Sequence, residues 1–385
     1  MRCPSLLTRP LWRRTIAVLL AVAVLSWLPA WWCARDARRW LQNDEQYQIG
    51  LSRDVAATIR AGVSDADFTN NFSVFRSEWL FGTYQMGALG LLQVIQAHPE
   101  HRAEFMPAVE QAIDRLLSPQ VRAFDARLWQ EDALDSLDGA NGHAAYLGYL
   151  NLVLTLHRQQ VPTSRFAGIN DRISAALARR FDTSPHGIIE TYPGEAYPID
   201  NAAGVASLIL HQRLTGADHT AAIQRILACY RSYWREPKSG LLYQAIGFRS
   251  GSPQAGPRAS GTALAATFLA CAEREVSRQL FDSIRGQLAG SLLGFGYIRE
   301  YPADWHGGGD VDSGPVIFGA SISGTGFTLA TARRFGDASL FSRLYASADF
   351  VGVPVWRGDR LRFATGGPLG NSILLAMLTA SPAAP

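Results

Sequence analysis

Two polar stretches collect acids whose types and spacing suit proton transfer. GGGDVDSGP at 307–315 carries Asp310 and Asp312, and YPGEAYPIDN at 192–201 carries Glu195 and Asp200. In extended chain, residues i and i+2 point to the same side, so Asp310 and Asp312 are expected to face one place together. Two carboxyl groups from different loops, one protonated and one ionised, are the minimal equipment for cleaving a glycosidic bond. The expected pair is Asp310 or Asp312 opposite Glu195 or Asp200, with His306 or a tyrosine as base if the reaction is an elimination or an epimerisation.

Aromatic and polar residues interleave with these acids. Tyr149, Tyr192, Tyr197, Asn201, His143, Trp129, Arg76, Glu78, Tyr301 and Trp305 are the substrate-binding candidates. Flat rings stack on sugar faces and acids bond hydroxyl groups, so the expected substrate is a glycan or a small hydroxylated molecule. Several of these positions also admit a plain structural role. Asp200 before NAAG, and Ser313 or Gly314 before Pro315, stand where helix caps are expected. Asp132, Asp135 and Asp138 suit a solvated or capping loop, and Arg249, Arg258, Arg357, Arg360 and Arg362 suit either an anionic substrate or the loop acids. The DxD spacing is also that of a metal motif, but no nucleotide-binding βαβ pattern accompanies it, so neither metal nor other cofactor is called for.

The elements that must position these residues form a repeat. Six segments rich in Gly and Ala begin at Gly82, Gly142, Asn201, Gly261, Gly314 and Gly367, roughly 50 to 60 residues apart. Each of the first five precedes a short turn and an amphipathic helix, as in AEFMPAVEQAIDRLL or EVSRQLFDSIRGQL. The sixth lacks a follower, and EQYQIGLSRDVAATIRAG at 45–62 supplies one from the other end of the chain. About twelve helices in six pairs, first and last closing a ring, predict an all-α (α/α)6 toroid at 41–385. Small residues suit the inner helices and amphipathic ones the outer layer. The long outer-to-inner loops then emerge together at one end, where the polar residues above would meet.

Segments 1–40 and 41–385 differ in charge. The first holds seven arginines and one acid, which leaves 29 basic and 32 acidic residues in the second, a net charge of about −3. Such a surface argues against nucleic acid as a partner, since phosphate binding needs a concentrated basic face. Thr15 to Trp32 is an uncharged run at the length of a bilayer crossing, flanked by arginines and ending in tryptophans. Trp31, Trp32 and Cys33 make no clear signal-peptidase site, so the run reads as a retained signal-anchor, with a cleaved signal peptide as the competing reading. Four arginines before it and three after it point to a cytoplasmic N-terminus, with the bulk of the chain on the outer, periplasmic side of an inner membrane. The cysteines Cys3, Cys33, Cys229 and Cys271 show no metal spacing and no disulfide framework.

YPGEAYPIDN and AYLGYLNLVLTLHR resemble segments of the linalool dehydratase/isomerase family. The resemblance implies an (α/α)6 toroid that adds or removes water on a small allylic alcohol. In that family the first stretch carries a Cys-Glu pair and then a second cysteine. Here Gly194 and Glu195 and then Asp200 and Asn201 stand there, so Glu195 carries over and both cysteines do not. Tyr149 stands where the family has a histidine. GGGDVDSGP and SLDGANGH have no counterpart in it. Toroid glycan hydrolases and uronate lyases or sugar epimerases share the expected fold, as does a reading without catalysis, a membrane-tethered glycan-binding subunit.

Overall fold

The computed structural model describes residues 9–68, 73–310 and 313–381, and the expected acid Asp312 lies outside them. The chain begins with α1 (Arg9–Leu25), α2 (Leu28–Cys33) and α3 (Ala37–Leu41). There follow α4 (Glu45–Ala61), α5 (Ser73–Ala97), α6 (Arg102–Leu116), α7 (Pro119–Trp129), α8 (Ala144–Gln160) and α9 (Ala167–Thr183). The rest are α10 (Pro198–Thr215), α11 (Thr220–Ala228), α12 (Ala259–Leu269), α13 (Arg274–Gln287), α14 (Ile322–Arg334), α15 (Ala338–Gly352) and α16 (Gly367–Leu378).

The inner ring closes. α5 packs on α8, α8 on α10, α10 on α12, α12 on α14, α14 on α16, and α16 back on α5. Small residues make this possible: a Cβ on Gly90 of α5 would stand 2.9 Å from the backbone nitrogen of Ala376 in α16. Outside each inner helix lies its amphipathic partner, and α4 covers α16 as the repeat requires. In α13, Val276, Leu280, Phe281 and Ile284 are buried on one face, each such side chain contributing about 1.5–3 kcal/mol of transfer free energy. The architecture is an (α/α)6 toroid.

Arg333 ties the two ends of the chain to the ring. Buried on α14, it donates Nε to the Ala380 carbonyl at 2.8 Å and Nη1 to the Trp40 carbonyl. Trp40 is itself fully buried. Arg14–Leu41, which contains an 18-residue window of mean hydropathy 2.0, is the one helix among the described residues long and apolar enough to cross a membrane. α2 and α3, at its C-terminal part, pack on α15.

Short hairpins interrupt the helical plan. They pair β1 (Tyr243–Ile246) with β2 (Pro253–Pro257), β3 (Ala289–Leu292) with β4 (Phe295–Arg299), β5 (Val316–Ile317) with β6 (Ala320–Ser321), and β7 (Pro354–Arg357) with β8 (Arg360–Phe363). β4 also pairs with β6, Ile298 opposite Ser321. The fifth inner helix was expected from Gly314, and this is corrected: Val316 to Ser321 is the β5–β6 hairpin, and α14 starts at Ile322 with Ser321 as its cap. The β-branched Val316 and Ile317, followed by Phe318 and Gly319 at φ 49° and 83°, favour a tight primed turn over a helix. The first inner helix likewise starts at Ser73, ahead of the expected Gly82.

Candidate active site

The N-terminal ends of all six inner helices surround a cavity of about 320 Å³ on the toroid axis. Its polar lining comes from Glu78 and Gln85 of α5, Tyr149 of α8, Asp200 of α10, Gln244 of β1 and Ser260 of α12. Phe81, Leu264, Phe327, Leu369 and Ile373 supply apolar lining among them, and Tyr192 and Tyr197 come from the loop before α10. A substrate that carries a hydroxyl group on an apolar body matches this mixed lining.

Asp200 is the centre of this site. It was a candidate cap, but Tyr197 takes the N-cap position of α10, so Asp200 lies on the first turn with its carboxyl free for other partners. The Tyr149 hydroxyl donates to Asp200 Oδ1 at 2.7 Å. The close crossing of α8 and α10 sets that distance, since a Cβ on Gly148 would lie 3.1 Å from both the Asp200 carbonyl and the Gly204 nitrogen. Burial pushes the Asp200 pKa up to about 6, outweighing the hydrogen bonds from Tyr149 and Thr191, which favour the ionised form. The Tyr230 hydroxyl pins the start of this helix by donating to the Pro198 carbonyl.

Glu78 is the second carboxylate of the cavity, and the Tyr192 hydroxyl donates to it at 2.9 Å. Glu195 stands exposed at the rim and accepts the Tyr197 hydroxyl at 2.7 Å. Asn201 acts beneath them as a backbone staple, receiving Ile189 N–H at 2.9 Å and donating to the Ile189 and Tyr197 carbonyls. Asn371 holds Phe363 and Gly367 in the same manner, so this staple belongs to the repeat.

The remaining candidates stand apart from the cavity lining. His143 is buried between Asp125, at 2.6 Å from Nδ1, and Glu131, at 3.0 Å from Nε2, with Trp129 tilted against its ring. Burial raises the Asp125 pKa. Arg76 lies in the first turns of α5 with its Nε buried and unpartnered among the described residues. Asp310 accepts Arg258 Nη1, while Arg258 Nε binds Glu300 at 2.8 Å. Burial raises the Asp310 pKa, but the Arg258 guanidinium and the Ser313 amide more than reverse it, leaving the carboxyl below its ordinary value. Tyr301 faces the Arg258 guanidinium and donates to the Gly308 carbonyl at 2.9 Å. Trp305 and His306 are exposed beyond it.

Sequence reasoning missed Gln85 and Gln244. Gln85 is 1% exposed and its Nε2 has no hydrogen-bond partner among the described residues, and the Gln244 Oε1 is buried and equally unpartnered among them. Both line the cavity. The available signal was spacing, since Glu78, Gly82 and Gln85 recur at four and three residues and share one helix face.

Residues 142–367 match the family model of linalool dehydratase/isomerase, a span that includes Tyr149, Asp200, Gln244 and Ser260. Among solved structures, an inactive variant of an alpha-1,6-mannanase from Salegentibacter sp., in complex with alpha-1,6-mannotetrose, matches with a TM-score of 0.54. Its identity is 12%, over 86% of this chain and 98% of that one. The structure of the GH76A alpha-1,6-mannanase from Salegentibacter sp. gives 0.53 at 11% identity, over 86% and 98%. A family 105 glycoside hydrolase from C. acetobutylicum gives 0.50 at 10% identity, over 79% and 92%. At such identities the likeness is one of fold.

Proposed function

The chain belongs to the linalool dehydratase/isomerase family, and from that premise we propose an acid–base enzyme that removes or adds water at the hydroxyl-bearing carbon of a small, partly apolar alcohol. The observation that carries this reading is Asp200, a carboxyl raised to about 6 in a 320 Å³ cavity and held by Tyr149. Near neutral pH such a group can both give and take a proton. In dehydration Asp200 gives its proton to the leaving hydroxyl, the C–O bond breaks and water departs. The Glu78 carboxylate takes a proton from the neighbouring carbon as the double bond forms. Solvent returns that proton to Asp200, and the reverse sequence hydrates. Gln85 and Gln244 orient the hydroxylated end, and Phe81, Leu264 and Phe327 receive the hydrocarbon.

Glycan cleavage is the second reading, favoured by the tyrosines at the mouth and by the fold shared with the mannanases. Asp200 would then protonate the glycosidic oxygen. Incubation of the purified full chain with small allylic alcohols, followed by gas chromatography of the alkene, tests the first reading against D200N. Release of reducing ends from alpha-1,6-mannan, with no alkene from any alcohol, would replace it with the second. We further place the toroid outside an inner membrane with α1 as its single crossing, a reading supported by the hydropathy of that run and testable by protease protection in spheroplasts.

A further inference from the structure

The toroid has a second opening at its other end. There the C-terminal ends of the inner helices surround a larger cavity, of about 720 Å³. Leu152, Leu156, Leu210 and Phe268 supply apolar lining, and Arg213, Arg274 and Arg334 bring guanidinium groups to it. Arg213 donates to the Ala272 carbonyl at 2.8 Å. Arg334, the last residue of α14, is half-buried and has neither ion pair nor hydrogen bond among the described residues. Glu273 and Glu275 also line the cavity without pairing to it, and Glu275 accepts the Gln279 amide at 3.3 Å. The carbonyl ends of the helices steady a cation in this position. They do not supply the charge-assisted bonds that a half-buried guanidinium makes when it can.

We propose that this second cavity binds an organic anion with an apolar body, a medium-chain carboxylate by class, its head on Arg334 and Arg213 and its chain along the leucines. Water alone would leave the apolar wall wet, and a bare inorganic anion would leave it unused. Phe268 is the part of this wall nearest the first site, since its ring meets that of Tyr149 edge-on at 5.1 Å. One aromatic contact therefore separates the two cavities.

The test uses the full chain in a non-ionic detergent with octanoate as probe, and octan-1-ol and inorganic phosphate as controls. Octanoate is expected to raise Tm saturably, and more than either control at equal concentration. R334M is expected to weaken octanoate binding about tenfold, the worth of one charge-assisted contact, while R334K keeps part of it. D200N is expected to bind octanoate as the parent does, which separates this cavity from the first. No saturable response to octanoate overturns the proposal, and so does a response unchanged in R334M. A phosphate response equal to that of octanoate overturns its apolar half. Should R334M fail to fold, R334K decides, because unaltered octanoate affinity in it would show that the guanidinium takes no part.

Discussion

The Tyr149 hydroxyl donates to Asp200 Oδ1 at 2.7 Å, beside the close approach of the α8 and α10 backbones at Gly148. That bond favours the ionised carboxyl, whereas burial favours the neutral one and prevails. Y149F removes the larger of the two opposing hydrogen bonds and leaves the burial and the Thr191 contact, so the Asp200 pKa should rise further. If the protonated carboxyl is the working acid, turnover falls as pH rises through about 6 in the parent enzyme. In Y149F the fall should come at higher pH. The profile of kcat/KM against pH measures this, and an unmoved limb would detach Tyr149 from the acid.

D200N should separate activity from stability. Loss of a general acid lowers kcat/KM by about 10²–10⁴. The folded-state pKa of Asp200 lies above its ordinary value of 3.8, so the native state binds the proton more tightly than the unfolded chain. Its contribution is therefore most favourable below about 4 and is lost as pH rises to about 6, a change of about 3 kcal/mol for that interval. D200N cannot titrate there. The stability of the variant relative to the parent should thus improve between pH 4 and 6, as read by denaturant unfolding at each pH. A constant difference would place Asp200 in a more polar setting.

The cluster of Arg258, Glu300 and Asp310 predicts unequal effects for its two acids. Glu300 is fully buried and receives Arg258 at 2.8 Å and the Ser260 hydroxyl at 2.6 Å, whereas the Asp310 side chain is 44% exposed. E300A leaves a buried guanidinium poorly compensated and should cost about 3–5 kcal/mol. D310N should cost about 1 kcal/mol or less, with turnover within a few-fold of the parent. A folded D310N that loses turnover a hundredfold would return the chemistry to the loop before β5.

The ring of helices was legible because its signal is local and repeated. Gly- and Ala-rich helices alternate with amphipathic ones, and EQYQIGLSRDVAATIRAG at 45–62 stood ready to close the circle. The β5–β6 hairpin was not, because Pro315 after Ser313 and Gly314 imitates a helix start, while the pairing of Ser321 with Ile298 is long-range. The site was legible in part for the same reason. Asp200 could be named as a candidate acid, but its raised pKa depends on burial by distant chain and on Tyr149, which is 51 residues away. Asp310 looked equally acidic in type, and only the fold brings Arg258, 52 residues earlier, to neutralise it. A glutamine inside an apolar helix carries no such mark, so Gln85 passed unseen.

Gln85 offers a test in which stability and function move in opposite directions. It is 1% exposed, and its Nε2 finds no hydrogen-bond partner among the described residues in a cavity that it lines. A buried donor left unmade costs the fold about 1–3 kcal/mol. Q85L keeps the volume and removes the donor, so Tm should rise or hold. If that amide serves a substrate hydroxyl, its loss should raise KM about tenfold with a smaller change in kcat, since the contact is made with the bound ground state as well. Q85E, which keeps the shape but replaces the donors with acceptors beside Glu78, should impair both binding and folding. A Q85L enzyme that is less stable with unchanged KM would mean that the amide serves packing. A Q85L enzyme at least as stable as the parent, with KM raised, would identify the amide as a group held unpaired for the substrate.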